Sequence, residues 1–186
     1  MTSELIIGGQ RSGKSRRAES IAADWLAAST AHRAVLVATA RSADDEMRAR
    51  VERHRSDRAV RVPALRTVEE PLALGSAIRA QSDEGTLVVV DCLTLWLTNL
   101  AMPVDGPSAG AQRLDAAIAE LLLAIDEASG PLVLVGNEIG LGVIPMGREV
   151  RDFVDALGRL NQQVAARCEH VTLMVAGLPM RLKGAA

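Results

Sequence analysis

Short runs of consecutive apolar residues alternate along this chain with longer segments whose apolar residues recur three and four positions apart. Residues 5–7, 35–38, 86–90, 132–135 and 171–175 are almost continuously apolar, the pattern of strands buried on both faces of a parallel sheet. The segments between them carry helical stripes. One is Ala18, Ile21, Ala22 and Trp25, and a second is Leu114, Ile118, Leu121, Leu122 and Ile125. The third is Val150, Phe153, Val154, Leu157, Leu160 and Val164. Strands alternating with helices predict one α/β domain over residues 1–186, a doubly wound, mostly parallel sheet with helices on both faces. Two stretches interrupt the pattern. Residues 102–112, MPVDGPSAGAQ, are rich in Pro and Gly and read as a loop, and the Arg-rich residues 56–65 read as irregular.

The first apolar run leads directly into GGQRSGKS, residues 8–15, and a helical stripe follows. Gly8, Gly13, Lys14 and Ser15 occupy the fixed places of the phosphate loop, with Gly9, Gln10, Arg11 and Ser12 between them. Glycines at those places let the backbone turn so that successive N–H groups face one hollow at a helix N-terminus, where the helix dipole favours anions. Lys14 then supplies a compact ammonium for the β- and γ-phosphates, and Ser15 a hydroxyl for Mg²⁺. The chain has 21 Lys and Arg, yet Lys14 and Lys183 are its only lysines. A lysine inside the loop of so arginine-biased a chain points to a need that a planar guanidinium does not meet.

Composition removes other readings. A net charge of −2 leaves no electrostatic footprint for nucleic acid. Phe153, Trp25 and Trp96 are the only aromatics besides histidine, so no base-stacking platform is present either. Cys92 and Cys168 stand in apolar surroundings and read as buried free thiols of a reducing compartment. The opening MTSELIIGG lacks a basic start and a long apolar run, so it does not read as a signal peptide, and no segment approaches a membrane span. A cytoplasmic protein without stable membrane insertion is expected.

Three further regions carry candidate chemistry. The run TLVVVDCLTLWLTNL, from residue 86, ends a buried strand on Asp91, where a nucleotide site places a carboxylate for Mg²⁺ or its waters. Aspartate at a strand end also serves simply to start a turn. In TARSADDEMRARVERHRSDR, from residue 39, Ser42 and Glu46 bracket a helix start with Asp44, Asp45 and Glu46 in its first turn. Met47, Val51 and His54 then share one face. A histidine on such a face is ordinarily packed in a core. His32 and His170 lie near strand starts and read as structural. Asn137 and Glu138 follow a buried strand and open a loop of glycines and Pro145, which suits a substrate lid as well as an ordinary crossover.

Taken together, the stretches GGQRSGKSRRAE, VATARSADDEMRARVERHR, RTVEE, VVDCLTLWLTNL, VGNEIGLGVIP, GRLNQQVA and VAGLPMRLK resemble the bifunctional adenosylcobinamide kinase / adenosylcobinamide-phosphate guanylyltransferase family of cobalamin biosynthesis, in family order over nearly the whole chain. The resemblance implies a P-loop fold related to RecA, assembled as a homotrimer. It implies phosphorylation of adenosylcobinamide, with ATP or GTP as donor, followed by transfer of GMP from GTP to adenosylcobinamide phosphate. By resemblance, His54 carries the guanylyl group. Ala38, Thr39, Ala40, Arg55, Ser56, Asp57, Arg58, Glu69 and Asp91 join the phosphate loop in binding nucleotide, with Ser15 and Asp91 on Mg²⁺. A neutral imidazole is a competent nucleophile near neutral pH, and a covalent phosphoramidate divides the transfer into two displacements. A simple P-loop small-molecule kinase explains the loop and Asp91 but gives the histidine segment no purpose. A GTPase switch lacks support from any Asn-Lys-x-Asp motif, and its Asp-x-x-Gly strand end is replaced by DCLT.

Overall fold

The computed structural model describes residues 2–41, 45–103 and 110–184. Ser42 and Asp44 of the expected helix start, and residues 104–109 of the expected loop, lie outside that set. The five apolar runs all form strands: β1 (Ser3–Gly8), β2 (Arg33–Ala38), β4 (Thr86–Asp91), β5 (Leu132–Asn137) and β6 (His170–Val175). Two more strands join them, β3 (Leu65–Glu69) and β7 (Leu178–Lys183). The sheet runs β3-β2-β4-β5-β1-β6-β7, parallel throughout except where β7 turns back antiparallel on β6.

Alternate side chains of each buried strand point to opposite faces, and both faces are covered. Leu5, Val88, Val90, Leu132, Leu134 and Val171 meet α3 (Leu74–Gln81), α4 (Leu93–Ala101), α5 (Ala111–Glu127) and α6 (Arg148–Arg167). Ile6, Leu36, Val89, Val133, Val135 and Met174 meet α1 (Lys14–Ala28), which contributes Ala18 and Ala22. Val62, just after α2 (Asp45–Arg61), closes the same layer. This is the expected mostly parallel α/β architecture, with its continuous apolar strands explained by burial on two sides.

Three local expectations change. Residues 56–61, read as irregular, continue α2. The polar stretch is helical because its arginines find fixed partners: Arg58 Nη2 donates to Thr67 Oγ1 of β3 at 3.2 Å, and Arg61 Nε lies 2.9 Å from Glu19 Oε2 of α1. α4, buried at Leu93, Thr94, Trp96 and Leu97, has too few polar positions to display a helical period. β3 and β7 occupy the two ends of the sheet, where a strand has one neighbour and tolerates polar residues. The histidine face of α2 is not a closed core either, because His54 is exposed.

Candidate functional site at the carboxyl edge of the sheet

The parallel register aligns the strand ends. Gly8 faces Asn137 and Met174, Ala38 faces both Asp91 and Glu69, and Asp91 faces Val135. Gly8, Ala38, Glu69, Asp91 and Asn137 therefore share one edge, the place where open α/β sheets bind ligands.

The loop of residues 8–15 is built by a few demanding positions. A Cβ on Gly8 would lie 2.5 Å from the Met174 carbonyl oxygen, so only glycine fits there. Gly13 (φ 100°) caps α1 in the left-handed region, and a Cβ there would press on Gly177 at 3.2 Å. Arg11 also has positive φ, at 55°. Lys14 is buried, and its Nζ donates to the Gly9 carbonyl at 2.6 Å, which keeps the ammonium over the loop. Gly9, Gln10 and Arg11 are exposed, Ser15 is half-buried, and Ser12 is buried with an Oγ that has no hydrogen-bond partner. No acidic residue occupies the first turn of α1, so the positive end of the helix dipole faces the loop uncompensated. The Gly177 N–H donates to the Ser12 carbonyl at 3.0 Å, bracing the loop from the β6–β7 turn.

Asp91 ends β4 half-buried, with a cis peptide bond to Cys92. Its charge is felt nearby: burial foremost, and Asp91 next, push the Cys92 thiol up to about 12. Burial likewise raises Cys168 to about 11, so both cysteines are free, buried and inert, as their surroundings predict. Thr39 is fully buried. Its Oγ1 donates to the Cys92 carbonyl at 2.7 Å and accepts from the Cys92 N–H at 2.9 Å. Its N–H donates to the Asp91 carbonyl at 3.1 Å, and its own carbonyl accepts from Asn99 Nδ2 at 2.8 Å. Every polar group of Thr39 thus joins the ends of β2, β4 and α4, while Ala38 and Ala40 on either side are half-buried at the edge.

On the far side of Asp91, α2 presents His54, Arg55, Ser56 and Asp57 to solvent, with Arg58 buried. Arg55 Nη1 lies 3.4 Å from Glu69 Oε1, tying the histidine turn to the edge. His54 stands one turn before Arg58, on the face that meets β3 and α1. His32 stacks flat on Trp25 with centroids 3.7 Å apart and donates from Nδ1 to the Trp25 carbonyl, and His170 opens β6 with Nδ1 buried. Both are structural, as expected.

Residues without an assigned part in the sequence reading hold this edge together. Glu19 of α1 is buried, and desolvation raises its carboxyl above the usual range against the pull of Arg61 and Arg58. The Arg61 N–H is not aligned to donate, so the contact is an ion pair and leaves Glu19 Oε2 without a hydrogen bond. Thr94 Oγ1 accepts from the Asn137 N–H, and Asn161 Nδ2 donates to the Asn137 carbonyl. Glu19 falls one turn beyond Ser15 beside buried Ala18, a charged residue on a core face, which is the one signal that could have revealed it in sequence.

Such an edge can hold a triphosphate at the loop, with the Ser15 hydroxyl and the Asp91 carboxylate as candidate donors to a divalent cation. Comparison with known proteins agrees with the segment order. Residues 4–182 match the family model described as cobinamide kinase / cobinamide phosphate guanyltransferase. The bifunctional adenosylcobalamin biosynthesis protein CobP of Pseudomonas aeruginosa is 49% identical over 182 residues, 97% of each chain. The CobU protein of the same description from Escherichia coli is 36% identical, covering 96% of this chain and 98% of its own. Among solved structures, the flagellar accessory protein FlaH of Methanocaldococcus jannaschii superposes with a TM-score of 0.51 at 12% identity, covering 98% of this chain and 78% of that one, a likeness of fold alone. By motif order, full-length match and fold, the chain belongs to the cobinamide kinase / cobinamide phosphate guanyltransferase family.

Proposed function

We propose that this enzyme phosphorylates the aminopropanol hydroxyl of adenosylcobinamide and then transfers GMP from GTP to the new phosphate, with His54 as carrier. The family and the bifunctional relatives support the two reactions. The observation that carries the residue assignment is the position of His54, exposed on α2 and tied through Arg55 to Glu69 at the edge that also holds the loop of residues 8–15.

In the first step the hydroxyl oxygen attacks the γ-phosphorus of ATP or GTP, the bond to the β-bridging oxygen breaks, and the hydroxyl proton leaves. Gly9, Gln10, Arg11, Ser12 and Gly13 offer backbone N–H groups to the phosphates and Lys14 its ammonium, so catalysis is positioning and charge neutralisation. In the second reaction a His54 nitrogen attacks the α-phosphorus of GTP and pyrophosphate departs. A phosphate oxygen of adenosylcobinamide phosphate then attacks the same phosphorus, the P–N bond breaks, and the imidazole is restored. Arg55 and Arg58 stand by as counter-charges, and Ala38, Thr39, Ala40, Ser56 and Asp57 form the surrounding nucleotide wall.

Mg²⁺ belongs to the same proposal. Ser15 and Asp91, both half-buried at the edge, offer a hydroxyl and a carboxylate oxygen, hard donors that suit an ion completed by water and substrate phosphates. Bound there, it would supply charge neutralisation at the phosphates. A homotrimer is proposed too. β7 leaves Leu178, Met180 and Leu182 exposed along the free edge of the sheet, a surface suited to a neighbouring subunit.

Intact-protein mass spectrometry after incubation with GTP and Mg²⁺ tests the carrier. Wild type should gain a single GMP and His54→Ala none, while His54→Ala retains phosphorylation of adenosylcobinamide. Full transferase activity in His54→Ala, or GMP mapped to His32 or His170, would overturn the assignment.

A further inference from the structure

After β5, which lies between β1 and β4, the chain passes the phosphate loop on its way to α6, on the sheet face opposite α2, through a segment of unusual composition. Residues 139–147, IGLGVIPMG, contain no charged or hydrogen-bonding side chain. Leu141 is 82%, Val143 96%, Ile144 79% and Met146 97% exposed, although a soluble surface rarely displays so many large apolar side chains together.

The segment is held in place at both ends. At its start the Glu138 N–H donates to the Gly8 carbonyl at 3.1 Å, fastening it to the first residue of the phosphate loop. Asn137 is clamped from two helices, by Thr94 Oγ1 at 2.8 Å and Asn161 Nδ2 at 3.1 Å. The Glu138 carboxylate then accepts from the Gly140 N–H at 2.7 Å. At its end Arg151 Nη1 donates to the Pro145 carbonyl at 3.0 Å.

The α2 flank and the β5–α6 flank of the edge, on opposite faces of the sheet, therefore differ in chemistry. The α2 flank offers Arg55, Asp57, Arg58 and Glu69, groups for a charged nucleotide. The β5–α6 flank offers an uncharged, apolar surface joined to Gly8. We propose that residues 139–146 seat the corrin macrocycle of adenosylcobinamide and of its phosphate, with Leu141 and Ile144 as principal contacts. A corrin presents methyl groups and neutral amides on a broad, flat body, which an uncharged apolar surface matches and a row of arginines does not. Seated there, it brings its side-chain hydroxyl towards the γ-phosphate from the α6 face of the edge, with His54 on the α2 face. The proposal rests on the function proposed above and adds the acceptor subsite to it.

The test uses the fact that loading GMP from GTP needs no corrinoid. Leu141→Ser/Ile144→Ser and, as a second variant, Val143→Ser/Met146→Ser are compared with wild type. Three quantities are read: kinase KM and kcat for adenosylcobinamide, GMP loading from GTP alone, and mass in sedimentation. The expected result is a KM for adenosylcobinamide raised about tenfold or more, with kcat, GMP loading and mass at wild-type values. An unchanged KM in both variants overturns the subsite. So does a lighter assembly with GMP loading lost, because a second copy of the chain then covers these side chains. Should wild type itself neither load GMP nor phosphorylate adenosylcobinamide, the functional reading falls and the subsite falls with it.

Discussion

Thr39 commits both capacities of its hydroxyl to the backbone of Cys92, donating at 2.7 Å and accepting at 2.9 Å, at a fully buried position. The family resemblance puts this residue in the nucleotide set; its bonds make it a fastener between the ends of β2 and β4, where Asp91 stands. Thr39→Val keeps the shape and leaves the buried Cys92 N–H unpaired, a loss of about 1–3 kcal/mol, while the Cys92 carbonyl keeps the Trp96 N–H at 3.1 Å. The substitution should lower stability by about 1–3 kcal/mol, seen as a lower urea midpoint at unchanged slope. Thr39→Ser, which keeps the hydroxyl, should recover most of that loss. A Thr39→Val midpoint equal to wild type would mean that the pair of bonds contributes nothing.

At the scale of elements, α2 docks through the arginines of its last turns. Arg61 pairs with buried Glu19 on α1, and Arg58 reaches Thr67 on β3. The price of such docking appears in the titration of Glu19. Burial raises its carboxyl above the ordinary glutamate value of 4.5, with Arg61 and Arg58 pulling the other way and Asp91 and Asp57 adding to the rise. A raised value means that the folded chain binds this proton more tightly than the unfolded chain. Its contribution to stability is therefore complete below about pH 4.5 and is lost as pH climbs through the folded value. Thermal melts of wild type should show this decline on the way to neutrality, and Glu19→Gln should flatten it. Parallel curves for the two proteins would assign the decline to another group.

At the scale of the molecule, the last hairpin serves the first loop. The turn between β6 and β7 places Ala176 (φ 52°) and Gly177 (φ 82°) beneath the phosphate loop, where the Gly177 N–H donates to the Ser12 carbonyl. Lys183, in β7, donates from Nζ to the Ala165 and Ala166 carbonyls near the end of α6, at 2.8 and 2.9 Å, pinning the hairpin to the body. Gly177→Ala forces a second side chain into the left-handed region of this turn, a strain of about 1–2 kcal/mol. It should lower stability by that order and weaken binding of a non-hydrolysable GTP analogue, measured by calorimetry. Wild-type affinity in a destabilised Gly177→Ala would separate the hairpin from the loop it touches.

The amino-acid sequence by itself determined the five buried strands, the helices with clear stripes, the phosphate-loop pattern and the family, because each is written in local spacing or in contiguous motifs. Continuous apolar runs, the 3.6-residue period and the spacing of Gly8, Gly13, Lys14 and Ser15 are properties of neighbouring residues. Only the tertiary structure decided the rest. β3 and β7 are strands because a sheet edge stood ready to accept them, and polar edge strands carry little period of their own. The arginines of residues 56–61 are helical because Thr67 and Glu19, distant in sequence, receive them. His54 is exposed instead of packed because its face docks on β3 and α1 further along, at Arg58 and Arg61. Whether a polar side chain is a ligand, a fastener or a surface group depends on what long-range folding sets within about 3 Å of it, and that distance is not encoded in any single segment.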